Sequence, residues 1–126
     1  MTSQTMEETN KKDLVMEEIP IKGYEKVIKI TNKKANLKAI IAMHNISLGP
    51  ALGGTRIYPY NNFEEALRDA LRLSEGMTYK SAIAEVGLGG GKSVIIADPK
   101  KDKNEVFSFS FTVFRIQQLH FFSGVQ

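Results

Sequence analysis

Gly87-Leu88-Gly89-Gly90-Gly91-Lys92-Ser93-Val94-Ile95-Ile96 is the stretch around which this chain is organised. Three consecutive glycines end in a lysine, and a β-branched apolar run follows at once. Glycines lack a side chain and let a backbone come close to a ligand. The strand after them sets where Lys92 points. A lysine held between an apolar wall and bare backbone is a candidate for proton chemistry, because burial disfavours its charged form.

Two phosphate-binding readings of the same stretch fail. A P-loop needs a glycine five positions before Gly91, where Val86 stands, and it runs from strand to helix. Here a helical pattern precedes the glycines and a strand pattern follows them. The dinucleotide fingerprint requires a third glycine at position 92, which is Lys92.

Upstream of the glycines lies the clearest helix. Asn61 or Asn62 can cap it, with Glu64 or Glu65 three residues on. Phe63, Leu67, Ala70, Leu71, Ser74 and Met77 recur at helical spacing. Glu64 and Arg68 can pair across one turn. The helix is expected from about Asn62 to Glu85, with Gly76 marking a break or a tight packing point. Further upstream, Glu25–Thr31 and Leu37–His44 read as strands joined through the turn Asn32–Asn36. Ala51–Tyr58 reads as a third strand, with Gly53-Gly54 pointing to a bulge or a ligand approach. Lys92–Ala97 is the fourth. The fold class is therefore α/β: a mixed β-sheet packed with helices.

The ends read differently. Residues 1–18 are polar and aperiodic and are expected to form a disordered or loosely attached arm. Residues 19–105 make the domain. In the tail, 106–126, the composition shifts abruptly. Six of the seven phenylalanines lie there, and Phe107-Ser108-Phe109-Ser110-Phe111 alternates with the period of a strand. The tail reads as aberrant or truncated sequence, prone to aggregate through its high β-propensity and few charges.

Composition bounds the remaining classes. A chain of 126 residues suits one domain. With no cysteine, disulfides and thiolate metal sites are excluded, which suits a reducing cytoplasm. No metal site is expected. No apolar run approaches the roughly 20 residues of a membrane span, so no membrane partner is expected. The net charge of +3 is modest. Lys22, Lys26, Lys29, Lys33, Lys34 and Lys38 cluster against Glu25, but only Tyr24 lies among them. Nucleic-acid binding would want interleaved aromatics or a known module, so a solvated hairpin face is the better reading. His44 and His120 have no partner visible in the sequence and are given no role.

Three segments gain meaning together. Gly49–Arg56 (GPALGGTR) is small, turn-rich and ends in arginine. Glu64–Lys80 carries EEALRDALRLSEGMTYK. Gly87–Glu105 carries GLGGGKSVIIADPKKDKNE. Alone, Lys80 would be a solvated lysine near a helix end and Arg56 a surface arginine. In combination, from about Leu37 to Glu105, the chain resembles the glutamate/leucine/phenylalanine/valine dehydrogenase family.

That resemblance implies oxidative deamination of an amino acid with a nicotinamide cofactor, NAD. A hydride leaves Cα, and water attacks the imine to give the 2-oxo acid and ammonia. By the family pattern Lys92 is the catalytic lysine, acting on the attacking water. Lys80 would hold the substrate α-carboxylate. Leu52 stands where members acting on glutamate carry a cation, which implies an apolar, branched-chain substrate such as leucine. Gly53 and Gly54 would line the same pocket with Met77, while Arg56 is left structural. The family is two-domain, and the Rossmann domain and catalytic aspartate are absent from this sequence. No cofactor-binding residues are therefore expected in the chain, and alone it is expected not to turn over. Self-association into a homo-oligomer follows from the family pattern. The competing class is a non-catalytic remnant that docks onto homologues or binds amino and oxo acids weakly.

Overall fold

A computed structural model of the chain describes residues 13–122. Six strands form one mixed sheet. They are β1 (Val15–Glu18), β2 (Lys26–Asn32), β3 (Leu37–Asn45), β4 (Ala51–Leu52), β5 (Thr55–Tyr58) and β6 (Gly89–Ile96). The order is β1-β2-β3-β6-β4, with β5 also on β6. The pairs β1–β2, β2–β3 and β3–β6 are antiparallel, and β4 and β5 run parallel to β6. Helix α1 (Phe63–Ala84) covers one face of the sheet, and helix α2 (Lys103–Phe121) covers the other.

Two helical layers explain why the central strands are apolar on both faces. Ala39, Ile40, Ile41, Ala42 and Met43 are all buried, the pattern of a strand covered on both sides. Side chains alternate along a strand. Ile40, Ala42 and Val94 therefore pack under α1 with Ala66 and Ala70. Ala39, Ile41 and Ile95 pack under α2 with Phe109, Val113, Ile116 and Phe121.

The expected helix and hairpin are found within a residue or two of their predicted ends. The Asn62 side chain accepts from the Glu65 N–H at 2.9 Å, and the Glu65 carboxylate accepts from the Asn61 N–H at 3.0 Å. Two donors that no helical carbonyl can reach are thereby satisfied. Glu85 closes α1 in the left-handed conformation, φ 56°. In the hairpin turn Asn36 takes φ 58°, which asparagine tolerates.

Six readings are corrected. Residues 15–18 of the supposed arm are strand β1, paired with β2 from Val15–Thr31 to Glu18–Ile28; residues 1–12 lie outside the described region. Backbone pairing supplies what their exposed side chains do not. The boundary drawn at residue 105 falls inside α2, which continues through the tail to Phe121. The alternating phenylalanines are helical, because Val106, Phe109, Val113, Ile116 and Phe121 carry the stronger, helix-spaced burial. Phe107, Phe111 and Phe114 face outward. Residues 123–126 lie outside the described region. Gly76 neither breaks α1 nor packs tightly; open space surrounds the position of its missing Cβ. Ala51–Tyr58 is two strands, interrupted at Gly53-Gly54. Gly89, Gly90 and Gly91 belong to strand β6 itself.

A cross-link from the sheet edge to α1 fixes β5. Asp69 accepts from the Tyr60 hydroxyl, pairs with Arg72 at 2.6 Å and lies 3.5 Å from Arg56. Arg56 thus takes the structural part expected of it. Burial opposes the Asp69 charge, but the Tyr60 hydroxyl and the two guanidiniums outweigh it and hold the carboxyl below its ordinary range. A depressed folded pKa contributes stability that is complete above the unfolded value, about 3.9, and is lost as pH falls through the folded one. Urea midpoints measured from pH 5 to pH 2 should therefore fall less steeply for Asp69→Asn than for the parent chain. Parallel profiles would remove this assignment.

Candidate functional site

Register places two of the predicted residues, Leu52 and Lys92, on one face. Leu52 pairs with Gly90, and Arg56 with Val94. Partners in register share a face, so Leu52, Gly90, Lys92 and Val94 all lie on the α1 side. Between the two short strands, Gly54 comes beside Lys92. A Cβ built on Gly54 would meet Lys92 Nζ at 3.9 Å. Across the sheet Lys92 pairs with Ala42, and its side chain is half-buried.

The C-terminal half of α1 lies over the same face. A Cβ on Gly90 would strike the Thr78 backbone nitrogen and Oγ1, each at 2.2 Å. Helix and strand therefore touch through the glycine, which sets how near Met77 and Lys80 come to the strand that carries Lys92. Met77 is half-buried and Lys80 exposed. Leu52 is 44% exposed and forms an open apolar rim. Lys92, the apolar rim of Leu52 and bare glycine backbone are thus brought together on this face, an arrangement able to meet a small acid with an apolar side chain.

The glycines have a different use from the one expected of them. A Cβ on Gly53 would lie 1.6 Å from the Gly91 carbonyl oxygen. On Gly89 it would lie 2.1 Å from the Asn45 oxygen, and on Gly91 2.5 Å from the Phe121 ring. The protein's own backbone, Thr78 and Phe121 fill the space that the missing side chains leave. These glycines also lie in a strand, whereas a pyrophosphate cradle sits at a strand-to-helix turn. The glycine-bearing residues do not fit a dinucleotide.

His44, given no role from sequence, faces α1 from strand β3. Its Nδ1 is 2.8 Å from Thr78 Oγ1, and its ring packs edge-on against Tyr24, centroids 4.9 Å apart. It braces the helix turn that carries Met77 and Lys80. Behind the sheet, Gln117 reaches from α2 to the Gly53 carbonyl. It was missed because the phenylalanine alternation hid the helical spacing of Phe109, Val113, Ile116 and Phe121. That spacing was the available signal.

A cleft of about 370 Å³ lined by Val15, Glu17, Thr31 and Lys38 lies elsewhere and includes none of the predicted site residues. Among the described residues, no helix is long and apolar enough to cross a membrane, and no group of three or more His, Asp or Glu is placed to hold a metal.

The sequence and the fold match a known class. The family model described as Glu/Leu/Phe/Val dehydrogenase, dimerisation domain, matches residues 22–124, and the chain belongs to that family. The match runs past residue 105 and takes in most of the tail. The leucine dehydrogenase of Geobacillus stearothermophilus is 61% identical over 88 residues, which cover 70% of this chain and 24% of that protein. The phenylalanine dehydrogenase of Lysinibacillus sphaericus is 54% identical over 94 residues, covering 75% of this chain and 25% of that protein. Among solved structures, the L-tryptophan dehydrogenase of Nostoc punctiforme superposes with a TM-score of 0.60 at 50% identity, over 76% of this chain and 26% of that one. The chain thus spans about a quarter of the length of the curated relatives it matches.

Proposed function

We propose that this chain is the substrate-binding and self-associating part of an amino-acid dehydrogenase acting on a branched-chain L-amino acid of the leucine type. The observation that carries the reading is the convergence of Leu52, Gly54 and Lys92 on the sheet face beneath the α1 segment that bears Met77 and Lys80. Lys80 holds the α-carboxylate of the amino or 2-oxo acid through charge-assisted hydrogen bonds. Lys92 holds and moves the proton of the water that attacks Cα. Leu52 and Met77 take the aliphatic side chain. Gly53 and Gly54 keep the wall beside Lys92 free of side chains. The relatives support the class: they are leucine, phenylalanine and tryptophan dehydrogenases, and each of those amino acids has an apolar side chain. The chain alone, without a site that fits NAD among its described residues, is proposed to bind and not to turn over.

Calorimetric titration tests the assignment directly. The chain should bind 4-methyl-2-oxopentanoate at least about ten-fold more tightly than 2-oxoglutarate, because Leu52 cannot pair a second carboxylate. Lys80→Met should weaken both acids alike. Equal affinity for the two acids would sink the apolar-pocket assignment, and an unaffected Lys80→Met would remove Lys80 from the site.

Self-association is proposed from the dimerisation character of the family. Sedimentation equilibrium should give a mass at or above twice the chain mass of 14.1 kDa. A monomer at micromolar concentration would overturn it.

A further inference from the structure

A buried polar network lies directly behind the wall that holds Lys92. Ser93 is fully buried and Gln117 is 4% exposed. The Ser93 hydroxyl donates to Gln117 Oε1 at 2.5 Å, and Gln117 Nε2 donates to the Gly53 carbonyl at 3.0 Å. The Ser93 N–H donates to the Gly54 carbonyl at 3.1 Å. Two successive carbonyls at the break between β4 and β5 are thereby held by different partners. That of Gly54 is tied to strand β6, and that of Gly53 to helix α2.

The second tie has a directional consequence. In a trans peptide the N–H points opposite to the C=O, and no peptide here is cis. The carbonyl of the Gly53–Gly54 peptide is drawn toward α2. Its N–H, carried by Gly54, is therefore aimed away from α2. That is the side on which Gly54 faces Lys92 Nζ. Glycine backbone has no side chain to resist rotation, so an outside partner must set this peptide plane. Gln117 is placed to set it, with its own orientation fixed by Ser93.

We infer that Gln117 is a positioning residue for the Lys92 site, holding the Gly53–Gly54 peptide so that the Gly54 N–H and the Lys92 ammonium present donors to the same bound acid; the inference rests on the oxo-acid reading of that site. Gln117 touches no substrate. It acts through the backbone of the opposite sheet face, and it couples helix α2 to the candidate active site. Without its amide the half-buried Gly53 carbonyl would lose this donor, which favours a turn of the peptide toward another one.

The test uses the whole ¹⁵N-labelled chain, with 4-methyl-2-oxopentanoate as the probe. Gln117→Met keeps the length and much of the volume of the side chain but cannot donate. The residual dipolar coupling of the Gly54 N–H should change in the variant, while couplings in β2 and β3 stay the same. Affinity for the oxo acid should fall about ten-fold or more. An unchanged Gly54 coupling, or an unchanged affinity in a folded variant, overturns the inference. Should Gln117→Met fail to fold, the parent chain still decides. A through-hydrogen-bond coupling between the Gln117 side-chain amide and the Gly53 carbonyl, with a Gly54 amide shift that saturates on titration, supports it. A Gly54 amide that does not move at saturation overturns it. A parent chain that does not bind the oxo acid at all overturns the substrate reading and the ligand half of this inference. The Gly54 coupling then still reports whether Gln117 holds the peptide.

Discussion

Gly53→Ala is expected to destabilise the domain by about 3 kcal/mol or more, at the upper end of the overpacking range. The Cβ would sit 1.6 Å from the Gly91 carbonyl oxygen and 2.5 Å from its carbon. Both belong to the central strand β6, which is paired on both sides and cannot retreat. Either the break between β4 and β5 opens, or Gly91 is pushed toward the Phe121 ring that already crowds it. Against a typical total of about 5–15 kcal/mol this is a large loss, with a melting temperature lower by on the order of 10 °C. The neighbouring variant separates packing from chemistry. At Gly54 a Cβ meets only the far end of Lys92, at an ordinary contact distance. Gly54→Ala should therefore stay within about 0.5 kcal/mol of the parent, yet weaken oxo-acid binding because the added methyl takes up space beside the ammonium where the acid would sit. Urea unfolding followed by tyrosine fluorescence checks both. A Gly53→Ala chain as stable as the parent would show that the close approach is not real.

Lys92→Met should produce the largest functional loss. The test requires turnover, so residues 22–124, the span of the family match, are grafted in place of the matching segment of a leucine dehydrogenase. In that chimera the substitution should lower kcat about 10²–10⁴-fold, the usual worth of a positioned general acid–base group. The urea midpoint should stay unchanged, because Lys92 is half-buried with only its tip at Gly54. Lys80→Met in the same chimera should act mainly on KM, since a carboxylate clamp binds ground state and transition state alike. A loss below ten-fold at Lys92 would remove its proton role. A kcat effect at Lys80 as large as that at Lys92 would show that the two lysines act as one unit.

Local patterns made part of this architecture legible. Helix α1 was readable from Asn62 and Glu65 at one end and from the spacing of Phe63, Leu67, Ala70 and Ser74 along its buried face. The β2–β3 hairpin was readable from two β-branched runs around Asn32–Asn36. In each case the signal and the structure sit within a few residues of each other. The site residues were legible only as a combination. Leu52 and Lys92 lie 40 positions apart in the chain, and what brings them onto one face is the parallel register of β4 on β6.

The misreadings share one physical cause, which is that long-range partners decided what local composition could not. The glycines suggested a close approach to a ligand, with the strand beginning only at Lys92, yet they pair as part of the strand, and Asn45, Thr78 and Phe121 occupy the space beside them. The phenylalanine alternation looked like a strand, yet the segment is a helix because the α2 face of the sheet needed a cover with helical spacing at Phe109, Val113 and Ile116. By itself the sequence determined the α/β class, the capped helix, the hairpin and the family to which the three motifs belong. Tertiary structure alone decided the orientation of the Gly53–Gly54 peptide. A glycine backbone has no local preference strong enough to choose it, and the donor that does so, Gln117, lies 64 residues away on the far side of the sheet.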